Sequence, residues 1–252
     1  MPGLRVVAHG ARPVNVLVGC PVLMREWCLP DWFARLDDAA VNAHVNLEFV
    51  FVGAAWDQGT WDAIDTGAAG RPLTRVVVDE DRRTRSRDWL NPARYHRMVE
   101  LRNTLLTHVR DRAPDLFLSL DSDILLHPDA LANVIDTASR FDAVAAGVDL
   151  RVNTPNYFVT GLRGHERPPA PGVVTRVDVI MAAKLMGPAA YHVDYRWHRQ
   201  GEDIGWSQAA GEAGLSGSSK TGSHASLGDS SFSTALTASG CTFDPPAGAV
   251  TI

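Results

Sequence analysis

Two carboxylates one residue apart follow an apolar run in LFLSLDSDILLHPDAL, residues 116–131. If the chain stays extended, Asp121 and Asp123 point to the same side, about 6.6 Å apart. At about 6 Å and an effective dielectric constant near 20, their repulsion is roughly 3 kcal/mol. A divalent cation between them turns this repulsion into attraction, and Mg²⁺ or Mn²⁺ prefers such oxygen ligands. The pair therefore predicts a metal site.

Other structures are compatible with the same residues. Asp-Ser-Asp can form a turn in which the side chains accept hydrogen bonds from backbone N–H groups, and Asp123 can help to start the next helix. A calcium loop needs further acidic ligands and a central glycine, which DSDILLHPDAL lacks. We favour the metal site because the stretch Leu118–Leu126 is too apolar for a plain surface turn.

A second acidic pair, Glu202 and Asp203, stands at the start of a helix predicted over 202–214. The simplest explanation of Asp203 is a helix cap. The order of the motifs favours a functional role instead. Carboxylates at a strand end are followed by a long Gly/Pro loop over 153–172, and then by carboxylates at a helix start.

Arg102 lies within the apolar stripe of a helix predicted over 92–112. A guanidinium on the core-facing side must be paired, because burying the charge alone costs several kcal/mol. Its partner is either a structural carboxylate, such as Asp121, or the phosphate or base of a ligand. The sequence leaves both possibilities open.

The elements that must position these residues follow from the alternation of apolar and amphipathic runs. Strands are predicted over 14–19, 46–53, 74–80, 115–121 and 141–150, helices over 30–40, 92–112 and after Pro128, and a strand with a short helix over 173–191. This alternation predicts an α/β fold with a mostly parallel sheet flanked by helices. Ligands bind such sheets at the carboxyl ends of the strands, which is where Asp121 lies.

Composition describes an ordinary globular protein of 252 residues with a net charge of −5. This length fits one large α/β domain, and the mild acidity gives no general reason to expect a nucleic acid or membrane partner. One basic run, RRTRSR at 82–87, is a local exception.

The predicted compartment is the cytoplasm. Cys20, Cys28 and Cys241 lack metal-ligand spacing and indicate reduced thiols. The amino-terminal residues do not form a signal peptide, and no apolar window reaches the roughly 18 residues of a transmembrane segment. Oligomeric state is left open.

The order of the motifs resembles that of the GT-A glycosyltransferases, which move a sugar from a nucleoside diphosphate to a hydroxyl. The matching segments are NVLVGCPVLMREW, LRNTLLTHVRDRAPDLFLSLDSDILLHPDAL, IMAAKLMGPAAY and GEDIGWSQAAGEAGL, within about 14–215. The local sequence is also similar to the mannan-synthase branch of fungal enzymes. The resemblance implies a GT-A (Rossmann-like) domain over 1–215 with a nucleotide-binding half over about 14–125 and a loop-rich acceptor half over about 126–215. Residues 216–252, which are Ser/Gly-rich, are expected to be partly ordered at best.

The same resemblance implies a metal site and a donor site. Asp123 would bind Mn²⁺ or Mg²⁺ directly, and Asp121 would contact the ion through water or bind the ribose or sugar hydroxyls. His224 would be a third metal ligand, although SGSSKTGSHASLGDSS lacks an apolar strand to position it, so a solvated histidine is the alternative. The residues implied for a UDP- or GDP-linked donor are Pro21, Val22, Arg25, Asp57 and Arg102.

The activity implied is that of a metal-dependent hexosyltransferase. Asp203 would be the general base if the reaction inverts the anomeric centre, with Glu202 holding the acceptor, whereas in a retaining reaction Asp203 would orient the substrate. Tyr195, Trp197 and Trp206 are expected in the core, with stacking on a sugar as the alternative.

The acceptor and three rival functions stay open. The acceptor is a glycan, a small molecule or a hydroxylated base in DNA, the last contacted through the run at 82–87. A sugar-nucleotidyltransferase is one alternative, although the first strand lacks a Gly-rich phosphate loop. A catalytically inactive module that binds nucleotide or glycan is the other.

Overall fold

The structure, a computed structural model, describes residues 13–79, 92–140, 145–148, 174–177, 179–180, 182–215 and 232–235. Within these residues eight strands form a single sheet. The strands are β1 (Val14–Val22), β2 (Val45–Ala54), β3 (Leu73–Val78), β4 (Leu116–Leu120), β5 (Ala145–Val148), β6 (Val174–Val177), β7 (Ala183–Met186) and β8 (Phe232–Ala235). The helices are α1 (Leu29–Ala43), α2 (Gln58–Gly67), α3 (Pro92–Arg112), α4 (Ala130–Arg140), α5 (Pro188–Tyr191) and α6 (Glu202–Glu212).

The strand order across the sheet is β3-β2-β1-β4-β7-β5-β8-β6. The first four of these strands are parallel to one another, and β5 and β8 run in the same direction, whereas β6 and β7 run opposite. The predicted mostly parallel sheet is therefore confirmed. Because β1, β2 and β4 end at one edge, the loops that follow them meet there.

Apolar side chains on both faces of the sheet explain why the strands read as continuous hydrophobic runs. On one face, Val16 and Val18 of β1 pack in a core that includes Trp32 of α1 and residues of α2 and α4. On the other face, Leu17 belongs to a core with Leu105 of α3 and residues of α5 and α6. Strand β4 is thus buried on both faces, and α3 and α6 pack together on one of them.

The structure differs from the predictions at three places. Helix α2 was not predicted, and the residues predicted as one strand after 173 form two strands, β6 and β7. Strand β8 comes from the Ser/Gly-rich segment and pairs in parallel with β5, with Ala145 opposite Phe232. The domain boundary near residue 215 stays a prediction.

Cys20 and Cys28 are buried free thiols. Burial raises the pKa of Cys20 well above its usual value and that of Cys28 to about 11. Cys241 lies outside the described residues. Among the described helices, none combines the length and hydropathy that a bilayer-spanning segment requires.

Candidate active site

The Asp-Ser-Asp motif forms a turn at the carboxyl end of β4. The strand ends at Leu120, and the N–H of Ile124 donates to the carbonyl of Asp121 at 3.1 Å. The extended geometry expected through Asp123 is therefore wrong. The two carboxylates contact different cations, with Asp121 at 2.8 Å from Arg102 and Asp123 at 3.2 Å from Arg25.

Arg102 joins the two acidic motifs. Its Nη2 donates to Asp121 Oδ1 at 2.8 Å, its Nη1 to Ser119 Oγ at 3.2 Å, and its Nε to Glu202 Oε1 at 3.1 Å. Ser119 and Asp121 continue the face of β4 that packs on α3, which explains why a guanidinium occupies an apolar stripe. Structural carboxylates thus pair with Arg102 in this structure, and contact with a nucleotide stays a prediction.

Burial and charge shift the titration of this pair. Burial raises the pKa of Asp121 to about 6, with Arg102 opposing the rise and the carboxylates of Asp203 and Asp123 adding to it. Burial disfavours the charged form of Arg102, but Asp121 and the neighbouring acidic groups outweigh this effect and raise its pKa. The side chain of Asp121 is 31% exposed, so a ligand can reach it.

Lys184 of β7 is a fully buried lysine that the sequence reasoning missed. Its Nζ donates to Asp203 Oδ1 at 2.9 Å and lies 4.2 Å from the ring centroid of Trp206. Burial alone would raise the pKa of Asp203, but the charges of Lys184 and Arg102 leave it below its ordinary value. The signal that could have revealed Lys184 is the same as for Arg102, a cation inside the apolar run AKLM.

A face of α3 holds the segment that leads to Glu202. His96, Asn103 and Arg110 contact this segment. They are spaced seven residues apart, which places them on the same side of the helix. Arg110 donates to Tyr191 O at 3.0 Å and to Asp194 at 2.7 Å. Asn103 donates to Tyr195 O at 3.0 Å and accepts from Tyr195 N at 2.7 Å.

The third of these residues is His96, whose ring stacks on Trp197 at a centroid distance of 5.1 Å. The segment from Tyr191 to Trp197 is therefore fixed to α3 at three points. This attachment positions the helix start at Glu202 relative to Arg102.

The residues expected to bind the nucleotide surround the loop after β1. Arg25 donates from its Nε to Ser122 Oγ at 3.1 Å and from its backbone N to Thr60 Oγ1 at 2.8 Å. Asp57, which is 7% exposed, accepts from the N–H of Met24 at 2.5 Å and so fixes this loop. Pro21 and Val22 form the carboxyl end of β1. The structure thus brings the predicted donor residues to the edge where Asp123 lies, while their contacts with a nucleotide stay predictions.

The donor set fits a divalent ion that takes part of its coordination from a ligand. Asp121 and Asp123 present carboxylate oxygens at partly exposed positions, which is the chemistry that Mg²⁺ and Mn²⁺ prefer. Across the described ranges, no group of three or more His, Cys, Asp or Glu side chains is placed to hold a metal. His224 lies outside these ranges. Phosphate oxygens and water would therefore supply the remaining ligands.

No protein-family model and no curated protein matches this sequence. Solved structures do match. Residues 1–349 of S. aureus TarS align with 91% of this chain at 11% identity and a TM-score of 0.52. The mannosyltransferase PcManGT from Pyrobaculum calidifontis, solved with GDP-Man and Mn²⁺, aligns with 95% at 16% identity and a TM-score of 0.51. Glucosyl-3-phosphoglycerate synthase from M. tuberculosis aligns with 94% at 12% identity and a TM-score of 0.51.

These likenesses establish the fold. The chain has the GT-A fold that the motif order implied. It spans 59% of the length of the first two structures and 74% of the third. At 11–16% identity, the comparison does not extend to activity or substrate.

Proposed function

We propose that this protein is a metal-dependent glycosyltransferase that moves a hexosyl group from a UDP- or GDP-linked sugar to an acceptor hydroxyl. The observation that carries the proposal is the convergence of both acidic motifs at the carboxyl edge of a GT-A sheet, where Arg102 bonds to each of them. Structures with the same fold contain UDP-GlcNAc in TarS and GDP-Man with Mn²⁺ in PcManGT, which supports a nucleotide-sugar donor.

The reaction must stabilise negative charge on the departing diphosphate. A Mn²⁺ or Mg²⁺ ion held by Asp123 and Asp121 would supply this stabilisation without a proton transfer. Arg25 lies against Asp123 at 3.2 Å and contributes a second positive charge at the same edge. Asp57 keeps the loop that carries Arg25 in place, because it accepts from the backbone of Met24.

The acceptor hydroxyl needs a proton acceptor if the reaction inverts configuration. Asp203 is our candidate for this base. Lys184 occupies its Oδ1, so the proton would go to Oδ2. The lowered pKa keeps Asp203 ionised at neutral pH, although it also makes the carboxylate a weaker base. Glu202, fixed by Arg102, would hold the acceptor. In a retaining reaction, the same carboxylates would orient the substrate.

We place the protein in the cytoplasm with a glycan or small-molecule acceptor. The basic run at 82–87, which would support a DNA acceptor, lies outside the described residues. The inactive-module and nucleotidyltransferase alternatives are separated from transfer by the experiment below.

A factorial thermal-unfolding screen tests the donor site. UDP, GDP and ADP are each added with and without Mn²⁺, and Mn²⁺ is also added alone. A nucleotide at 100 times its Kd stabilises the folded state by about 2.7 kcal/mol, which corresponds to roughly 5–10 °C in Tm. We expect this shift for UDP or GDP only when Mn²⁺ is present. The matching nucleotide sugar should then be hydrolysed slowly.

Two aspartate variants make the screen specific. Asp123→Ala should abolish the combined shift, whereas Asp38→Ala, which removes an exposed carboxylate from α1, should leave it unchanged. Stabilisation that needs no metal and survives Asp123→Ala would contradict the proposal and indicate a binding module. Release of pyrophosphate from a nucleoside triphosphate and a sugar phosphate would instead indicate a nucleotidyltransferase.

A further inference from the structure

Three aromatic residues flank the Glu-Asp motif, and their environments differ. Trp206 is 0% exposed and Tyr195 is 3% exposed, and both pack around the buried Lys184. Trp197 is 44% exposed. The expectation that all three lie in the core therefore fails for Trp197. A large exposed indole beside a candidate catalytic motif is accessible to a ligand.

One face of the Trp197 indole is already covered. The His96 ring lies nearly parallel to it, with an interplanar angle of 10° and a centroid distance of 5.1 Å. The residue is still 44% exposed, so a ligand can reach the part of the ring that His96 leaves uncovered. The stack also limits the rotation of the indole, so the side chain loses less conformational entropy when a ligand binds.

The backbone places Trp197 beside the first turn of α6. A Cβ atom at Gly205 would lie 1.9 Å from the carbonyl oxygen of Arg196 and 3.4 Å from the carbonyl carbon of Trp197. The Trp197 backbone thus packs against the turn that carries Asp203. The absence of a side chain at Gly205 is what permits this approach.

Helix α3 places the stack towards the carboxyl edge of the sheet. The helix ends at Arg112, and β4 begins four residues later at the amino edge of the sheet. The carboxyl end of α3 therefore lies near the amino edge, and its amino-terminal end lies near the carboxyl edge, where the site is. His96 precedes Arg102 by six residues, which is about 9 Å along the helix axis. The stack therefore lies further along α3 than Arg102, towards the carboxyl ends of the parallel strands.

We propose that Trp197, supported by His96, is an acceptor subsite that binds a pyranose ring. This inference rests on the proposed function and deepens it by naming the acceptor class. The C–H groups on one face of a pyranose form an apolar surface that complements the negative face of an indole. The acceptor hydroxyl would then extend towards Asp203, while the donor occupies the Arg25 side of the edge.

Direct binding tests the subsite without any turnover. Saturation-transfer NMR is recorded for methyl α-mannopyranoside and methyl β-glucopyranoside, with sorbitol as the acyclic control. We expect transfer to the axial C–H protons of one pyranose face and none to sorbitol. Trp197→Ala and Trp197→Leu should lose the effect, since leucine restores apolar area without a ring, and Trp197→Phe should retain part of it.

Turnover gives a second readout. With a donor identified in the thermal screen, Trp197→Ala should raise the KM for the methyl pyranoside roughly threefold to tenfold, the range expected for an aromatic stack. Donor KM and donor hydrolysis should stay unchanged, because in this proposal the indole contacts the acceptor and not the nucleotide. His96→Ala should give a smaller rise in acceptor KM.

The outcomes separate this inference from the proposed function. Equal saturation transfer to wild type and Trp197→Ala, or a donor KM that rises as much as the acceptor KM, would overturn the subsite. If no nucleotide binds, the proposed function fails. Pyranoside binding that is lost in Trp197→Ala would still establish a sugar-binding site in that case.

Discussion

Replacing Lys184 with methionine removes a buried positive charge while keeping most of the side-chain volume. Lys184 is 1% exposed and its partner Asp203 is 10% exposed at the side chain, with 2.9 Å between Nζ and Oδ1. The variant leaves the Asp203 carboxylate buried without its closest cation. It also removes the ammonium that lies 4.2 Å from the Trp206 ring centroid.

The expected cost in the free energy of unfolding follows from two limits. Removing one partner of a buried ion pair costs about 3–5 kcal/mol. The carboxylate can instead take up a proton. Because pH 7 lies about three units above the ordinary Asp pKa of 3.8, this protonation costs at most about 4 kcal/mol. We therefore expect Lys184→Met to lose about 3–4 kcal/mol at pH 7, or roughly 6–16 °C in Tm.

The same reasoning predicts a pH dependence with a definite sign. At pH 5, protonating Asp203 costs only about 1–2 kcal/mol, so the difference in stability between wild type and Lys184→Met should shrink to about that size. Since the native pKa of Asp203 is lowered, the pair stabilises the wild type above the unfolded pKa and loses this effect as the pH falls through the folded pKa.

Urea unfolding of Lys184→Met, Asp203→Asn and the double variant measures the coupling in a thermodynamic cycle. We expect a coupling of about 2 kcal/mol or more at pH 7. The pair Arg97–Glu100 serves as the control, because it has a similar distance of 2.8 Å but 35% and 63% exposed side chains. Its coupling should be about 0.5 kcal/mol or less. A Lys184→Met cost below about 1 kcal/mol, with coupling equal to that of the control, would refute the reasoning.

Two further predictions concern neighbouring residues. Gly205→Ala should destabilise the fold by about 1–3 kcal/mol, because the new Cβ would meet the Arg196 carbonyl, whereas Gly211→Ala in the same helix should stabilise it by about 0.5–1 kcal/mol. Urea midpoints of the two variants check this, and equal effects would contradict it. Asp121 has a native pKa of about 6, so its contribution to stability is fully present below pH 3.8 and is lost as the pH rises through 6. In EDTA, the stability of Asp121→Asn relative to wild type should therefore increase as the pH rises from 4 to 7. A difference in stability that does not change with pH would show that the pKa of Asp121 is not raised.

The central sheet could be predicted because its strands are buried on both faces and its helices carry clear start and stop signals. Helix α3 begins at Pro92 and ends at Arg112 as the sequence indicated. Helix α2 escaped prediction because QGTWDAIDTG contains two glycines and little apolar periodicity, although Trp61 and Ile64 form its buried side. The antiparallel direction of β7 depends on long-range pairing with β4, which no local pattern encodes.

The site could be predicted only as separate motifs. The sequence identified Arg102 as a buried cation in need of a partner, but two carboxylates separated by some 80 residues along the chain turned out to share it. Asn103 gave no signal because its role is to bond the backbone of Tyr195, and backbone partners cannot be read from side-chain patterns. Lys184 lies in a strand of only four residues, which is too short to show the apolar periodicity that identified Arg102 as a buried cation.

Under the proposed function, the charges at this edge predict that metal and nucleotide each promote the binding of the other. Among the described residues of the two motifs and their partners, the carboxylates are Asp121, Asp123, Glu202 and Asp203, and the cations are Arg25, Arg102 and Lys184. With all groups ionised, this set has a net charge of −1, so a diphosphate alone meets a field of its own sign. A bound divalent ion would change this net charge from −1 to +1. The diphosphate of a nucleotide sugar, with about two negative charges, would bring it back to about −1. If both bind as proposed, each ligand would therefore raise the affinity for the other by the same factor.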